Sequence, residues 1–236
     1  MKYLIQNKFK LSNFTTIKSN ISIHLNDANL INFVSGDIDD ATQDAYDEIV
    51  ALSQCIIKKV TLNFQNNLNY YNFQDNSNYS NIYVADFMAC TAIFSNLTKL
   101  WLLDDKVLKD FDRDRVDWEN WIGSCTWWAP CNDAKKIAMI PKPLIGSSTF
   151  DLYYWAQAPT IVNANSPLVP PDFENLIEIY ATASLLESYE EFTKAQLYFN
   201  EFWGVDNEGN QNFDKGIFAL AQRSKNISQS DLLVLA

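Results

Sequence analysis

One histidine, His24, is all the imidazole in this chain of 236 residues. Histidine clusters and helical His-x3-His metal sites are therefore impossible within one copy, and a Ser-His-Asp triad would have to use that single residue. Glycine is scarce too: six are scattered along the chain, and none group into a loop that could cradle phosphate. Basic residues are outnumbered, with 18 Lys and Arg against 29 Asp and Glu, giving a formal charge of −11 and a pI near 4.5. That balance argues against a groove that grips nucleic acid, although not against a surface past which DNA slides. No segment approaches the length and apolarity of a membrane span. The opening MKYLIQNKFKLSNF has no uninterrupted apolar stretch of the secretory kind. Cys55, Cys90, Cys125 and Cys131 show no metal-ligand spacing, and they read as buried thiols in a reducing compartment.

Two acidic stretches imitate calcium loops, and both fail at the position that needs glycine. Asp110, Asp112 and Asp114 are followed by Arg115 there, and Asp206, Glu208 and Asn210 by Gln211. A paired-carboxylate mechanism would need two acids facing across a cleft, which no spacing in this chain identifies. The expectation is a protein without catalytic residues, cofactor or metal.

What the chain does have is apolar and aromatic material, 47% and 14% of its residues. That is ample for a buried core. The most informative stretch runs from Ile140 to Gly204. In FDLYYWAQ, Phe150, Leu152, Tyr154 and Ala156 share one face of a strand, while Tyr153 and Trp155 share the other. A strand with one wet face alternates apolar with polar, so large aromatics on both faces require a second cover. That cover is either the same domain or another subunit. Pro159, Pro167, Pro170 and Pro171 stop the strand, because proline cannot donate to a sheet ladder. A long amphipathic helix is predicted over Asp172–Trp203, with Gly204 as its left-handed cap. Glu190 and Lys194 would form an i,i+4 pair on its wet side.

This layout resembles the head-to-tail adaptor, or connector, proteins of tailed bacteriophages. The resemblance rests on Pro141, Pro143, Tyr153, Tyr154, Trp155, Pro159, Ser166, Pro167, Leu168, Pro170 and Phe173, followed by the helix. It implies a structural virion protein of the neck, assembled in the host cytoplasm as a homo-oligomeric ring, twelve-fold by analogy. It further implies docking beneath the portal protein, contact with further neck or tail proteins, and a channel that DNA crosses without tight binding or any membrane.

On that basis Tyr153, Trp155, Pro167, Pro170 and Phe173 are the candidate subunit-interface residues. The aliphatic run Leu232, Leu233, Val234 and Leu235 is the candidate portal-docking tail, because leaving such a run in water is unfavourable. Glu187, Glu190 and Glu191, expected on one face of the long helix, are the candidate channel lining. The competing reading is a carbohydrate- or receptor-binding module that uses Trp118, Trp121, Trp127, Trp128 and Trp155 as a platform.

The predicted fold class is mainly α with a small β insertion. It comprises a bundle of long helices, a three-stranded β-meander and extended terminal arms. Residues 1–36 are expected as an N-terminal arm, with a short strand possible in SNISIHLN. A helix is expected from Asp39 or Asp40 to about Phe64, on the stripe Ala45, Ile49, Leu52, Ile56 and Val60. The Asn-rich Gln65–Asn81 reads as a loop. A second helix, Ile82–Leu103, carries Phe87, Cys90, Phe94, Leu97 and Trp101 at helical steps. The helical core domain would thus take residues 37–103 and 172–223. Residues 104–171 would be a β-rich insertion with the proline connector, and residues 224–236 a tail.

Overall fold

A computed structural model describes residues 12–27, 32–75, 82–95, 98–102, 117–131, 135–143, 148–206, 209–212 and 215–222. They form two compact units. The first draws on Met1–Ile56 and Ala158–Leu232, and the second on Ile57–Gln157.

The first unit is helical. Helix α1 (Phe14–His24) starts at Asn13, whose side chain accepts the Thr16 N–H at 2.9 Å. This satisfies one of the donors that a helix start leaves without a partner. Phe14, Ile17 and Ile21 are buried on one stripe. Helix α2 (Ser35–Ser53) buries Ile38, Ala45, Tyr46 and Ile49, and ends where Gln54 turns left-handed at φ 52°. Pro171 opens a single 3-10 turn (Pro171–Phe173) that leads into helix α3 (Glu174–Ser188). Leu176, Ile177, Ala181 and Leu185 bury α3 against α1, α2 and helix α4 (Phe192–Trp203). Helix α5 covers residues 216–222.

The second unit is a sheet structure. Strands β1 (Ile57–Asn63), β10 (Thr149–Ala156), β3 (Phe87–Ser95) and β4 (Thr98–Lys99) make one antiparallel sheet in that order. Strands β2 (Tyr70–Asn72), β8 (Lys136–Ile140), β7 (Trp127–Pro130) and β5 (Trp101–Leu102) make another. Strands β6 (Ile122–Gly123) and β9 (Lys142–Pro143) pair in parallel. Phe150, Leu152, Tyr154 and Ala156 are buried, as their shared face on β10 predicted. Their cover is aromatic. Phe64 lies 4.8 Å from Phe150, Tyr71 5.8 Å from Phe150, and Phe87 5.6 Å from Tyr154, ring centre to ring centre. Pairs of this kind add about 0.5–1.5 kcal/mol each beyond simple burial.

The mainly helical bundle predicted from the sequence is therefore wrong. Among the described residues there are five helices and three sheets. The predicted helix Ile82–Leu103 contains β3, β4 and β5, because pairing with β10 outweighs a helical spacing of aromatics. The predicted helix reaching Phe64 stops at Ser53, and Ile57–Asn63 turns into a sheet edge. The meander does not form as a unit: β7 and β8 pair with each other, whereas β10 sits in the other sheet, between β1 and β3. The extended N-terminal arm gives way, over Phe14–His24, to a capped helix in which Ile23 is exposed while Ile17 and Ile21 are buried.

The single long helix is also broken. Tyr189–Glu191 separates α3 from α4, with Glu190 at φ 65°. A left-handed non-glycine residue cannot continue a right-handed helix. Lys194 consequently pairs with Glu191, at 3.2 Å, and not with Glu190 as predicted. Gly204 does cap α4, at φ 75°. A Cβ there would sit 2.5 Å from the Lys215 carbonyl oxygen, so only glycine fits.

Candidate assembly surfaces

In the second unit the second face of β10 carries Asp151, Tyr153 and Trp155, all half-buried. Tyr153 is flanked by Phe94, ring to ring at 5.4 Å, and by the Lys59 ammonium, 5.5 Å from its ring centre. Lys59 also pairs with Asp151 at 2.7 Å, and Thr61 donates to the same carboxylate at 2.6 Å. These bonds from Lys59 and Thr61 hold the Asp151 carboxyl below its ordinary range. The strip is thus partly covered by its own sheet, with ring surface left over.

A second polar group fixes how this sheet is held. Asp86, in the turn before β3, accepts the Tyr154 hydroxyl at 2.9 Å and the Lys58 ammonium at 2.5 Å. Burial alone would raise the Asp86 carboxyl, but the bonds from Lys58 and Tyr154 outweigh it and hold the group below its usual range. Burial and the neighbouring Asp86 push the Tyr154 phenol up. Neither Asp86 nor Lys59 stood out in the sequence, since Lys58 and Asp86 are 28 positions apart and nothing local marks the pair.

In the first unit the proline connector is sewn down. The Leu168 N–H donates to the Tyr46 hydroxyl oxygen at 2.9 Å, and the Ile161 N–H to Gln43 Oε1 at 2.8 Å. The Phe14 N–H donates to the Asn165 carbonyl at 3.0 Å. Burial pushes the Tyr46 phenol up to about 12, although the Leu168 N–H on its oxygen works the other way. Of the candidate interface residues here, Pro170 is exposed, Pro167 is buried and Phe173 is 2% exposed. Phe173 packs inside its own unit, so what is left at the surface is Pro170 and the neighbouring Leu168.

Glu187, Glu190 and Glu191 are all exposed and mark the break between α3 and α4. They do not share one helical face, because only Glu187 lies on a helix. Beside them Phe192 is 62% exposed, and the Tyr189 hydroxyl donates to Asp37 at 2.8 Å. Leu232, Leu233, Val234 and Leu235 lie outside the described residues, as do Asp110, Asp112, Asp114 and Glu208. Asp206 and Asn210 close a turn on each other, the Asn210 N–H donating to the Asp206 carboxylate at 2.8 Å. Among the described residues no three His, Cys, Asp or Glu side chains cluster in a way that could hold a metal ion. No described helix is long and apolar enough to cross a membrane.

The tryptophans do not form one platform. Trp118 and Trp128 are buried, and Trp118 packs with Ala129, Ala138 and Ile140 while Trp121 and Trp127 lean against that cluster. A side chain committed to a core cannot also stack on a ligand.

The described residues thus form a helical unit and a sheet unit with an aromatic core. Residues 12–229 match the family model described as SU10 adaptor protein, and the chain belongs to that family. This is a family of phage structural adaptors, which is not an enzyme class. The resemblance drawn from the proline-rich connector and the YYW strand is thereby borne out. Among curated proteins no sequence matches the chain.

Proposed function

We propose that the protein assembles as a homo-oligomeric ring, twelve-fold by analogy, in the neck of a tailed phage. The ring docks beneath the portal, contacts further neck or tail proteins, and continues the DNA channel. The observation that carries this reading is the family match across residues 12–229. Two features support it: Tyr153 and Trp155 keep uncovered ring surface on a sheet face, and Glu187, Glu190 and Glu191 are exposed, as a lining that repels DNA requires. The aliphatic Leu232–Leu235 run is the proposed portal contact.

Electron microscopy of the purified protein tests the ring directly. A closed ring with an open centre is expected, and a chain that stays monomeric at every concentration refutes it. Replacing Tyr153 and Trp155 together by Ser should lower ring yield at unchanged helical circular dichroism. Each half-buried ring contributes roughly 1 kcal/mol of apolar burial to its own sheet, so the fold has enough margin to survive. Loss of the fold instead would assign both side chains to the protomer core.

A further inference from the structure

The edges of the β1-β10-β3-β4 sheet are not alike. On the β3 side the edge is blunted. Its register with β10 slips twice, at Tyr153/Tyr154 and at Trp155/Ala156. Gln74 Nε2 donates to the Phe87 carbonyl at 2.6 Å, the Leu100 N–H donates to the Ile93 carbonyl at 2.8 Å, and β4 covers Phe94 and Ser95. Bulges and caps of this kind keep a sheet from growing.

Among the described residues the β1 side has no bulge and no covering strand, and its one side-chain cap lies at its last residue. Its seven residues run in unbroken register from Ile57↔Trp155 to Asn63↔Thr149. The Phe64 N–H donates to the Ser148 carbonyl at 2.9 Å, which extends that register by one step. In an antiparallel ladder hydrogen-bonded and non-hydrogen-bonded pairs alternate. Residues 58, 60 and 62 therefore bond to β10, while Lys59, Thr61 and Asn63 turn their backbone groups outward. Of these, the Asn63 carbonyl takes a bond from Gln65 Nε2 at 3.1 Å. The N–H groups of Lys59, Thr61 and Asn63 and the carbonyls of Lys59 and Thr61 have no partner among the described residues.

Free lysines usually guard such an edge. Here both are tied inward, Lys58 to Asp86 and Lys59 to Asp151. The rim is therefore locally neutral on a chain of formal charge −11, and like-charged copies can approach there without repulsion. It also adjoins the half-covered aromatic strip, because Lys59 lies opposite Tyr153 and Ile57 opposite Trp155.

We propose that the outer edge of β1 is completed by an extended strand from a second copy of this chain. The proposal rests on the ring reading above and supplies its bonding mode. In a head-to-tail ring each contact joins two different surfaces. One open edge per copy is then sufficient, and the blunted β3 edge stays out of the contact.

Residue-resolved hydrogen exchange on the assembled wild-type protein tests this. On assembly the Lys59, Thr61 and Asn63 amides should slow by roughly tenfold or more relative to the dissociated chain. The Lys58, Val60 and Leu62 amides, already bonded to β10, should change little. A ring in which the three odd-numbered amides still exchange freely overturns this inference and leaves the ring standing. A chain that never associates overturns both.

Two variants separate backbone from side chain. Thr61→Val loses the bond to Asp151 but keeps the N–H, and should assemble as wild type does. Thr61→Pro loses the outward N–H, which the protomer's own ladder does not use, and edge strands tolerate proline at such positions. It should keep its circular dichroism and lose assembly. Normal assembly of Thr61→Pro overturns the proposal; if Thr61→Pro fails to fold, the exchange pattern of the wild type still decides it.

Discussion

Asp86→Asn tests the polar hub that holds β1, β10 and the turn before β3 together. The substitution keeps the shape and removes the charge that the Lys58 ammonium and the Tyr154 hydroxyl both address. Hydrogen bonds to a charged group are worth about 1.5–3 kcal/mol. Two corrections lower that figure. Lys58 and Asp86 are each about a third exposed, which leaves their ion pair worth at most roughly 1 kcal/mol. Asparagine can also still accept the tyrosine proton. A loss of about 2 kcal/mol at neutral pH is the expected result, or roughly 8–16 °C for a unit of about 100 residues melting on its own. The pH dependence is the sharper check. The folded-state carboxyl lies below its unfolded value, so its contribution is fully present above the unfolded pKa and is lost as pH falls through the folded one. Thermal melts of both proteins from pH 7 down to about pH 2.5, followed by near-ultraviolet circular dichroism of the aromatic core, should therefore converge. A gap between wild type and variant that is equally wide at both ends would show that the charge does not matter and that only shape was disturbed.

Glu178 should behave in the opposite sense. It accepts Asn20 Nδ2 at 2.7 Å, with His24 Nε2 3.7 Å from its other oxygen, yet burial raises its carboxyl despite those neighbours. Its contribution is then fully present below the unfolded pKa and lost as pH rises through the folded one. Glu178→Gln should match wild type near pH 3 and be equally or slightly more stable at pH 8; a variant markedly less stable at pH 8 would mean that the charge is needed. Glu190→Gly removes the strain of a left-handed non-glycine residue at φ 65° and should stabilise the helical unit by about 0.5–1 kcal/mol, raising its melting midpoint. An unchanged or lower midpoint in a far-ultraviolet melt would mean that the break between α3 and α4 carries no strain.

The parts of the fold that were legible in the sequence are those where one residue or one short period decides the outcome. The buried face of β10 follows from alternation alone, and Gly204 announces its own left-handed turn. The helix predicted from Asp172 begins at Glu174, two residues on, after the 3-10 turn that Pro171 opens. Strand β3 was not legible, because Phe87, Cys90, Phe94 and Trp101 recur at steps that a helix would also produce. The deciding partner, β10, lies more than fifty residues away. The signal for α1 was present and outvoted: Asn13 caps it through Thr16, while Ile21, Ile23 and Leu25 imitate a strand. The break at Glu190 carries neither glycine nor proline, so nothing local predicts it. The open β1 edge was hidden by the reading of Ile57–Asn63 as a helix end.

The order of the elements gives the second unit a further role in the first. The chain leaves the helical unit after Ile56 and returns at Ala158, so the helical unit is assembled from two separate stretches. Closing a flexible loop of roughly 100 residues would cost on the order of 4 kcal/mol in chain entropy. The inserted unit removes most of that cost, because its entry and exit are partners in one ladder: Ile57 sits directly opposite Trp155. Directly opposed strand residues have their Cα atoms about 5 Å apart, so the chain enters and leaves the sheet unit at neighbouring points. The β1–β10 pair thus does two things. It presents the aromatic strip and the open edge, and it brings together the stretches from which the helical unit is built. Contacts that secure this pair, Asp86 with Lys58 and Tyr154 and Asp151 with Lys59 and Thr61, therefore hold the sheet unit together at the point where the chain enters and leaves it.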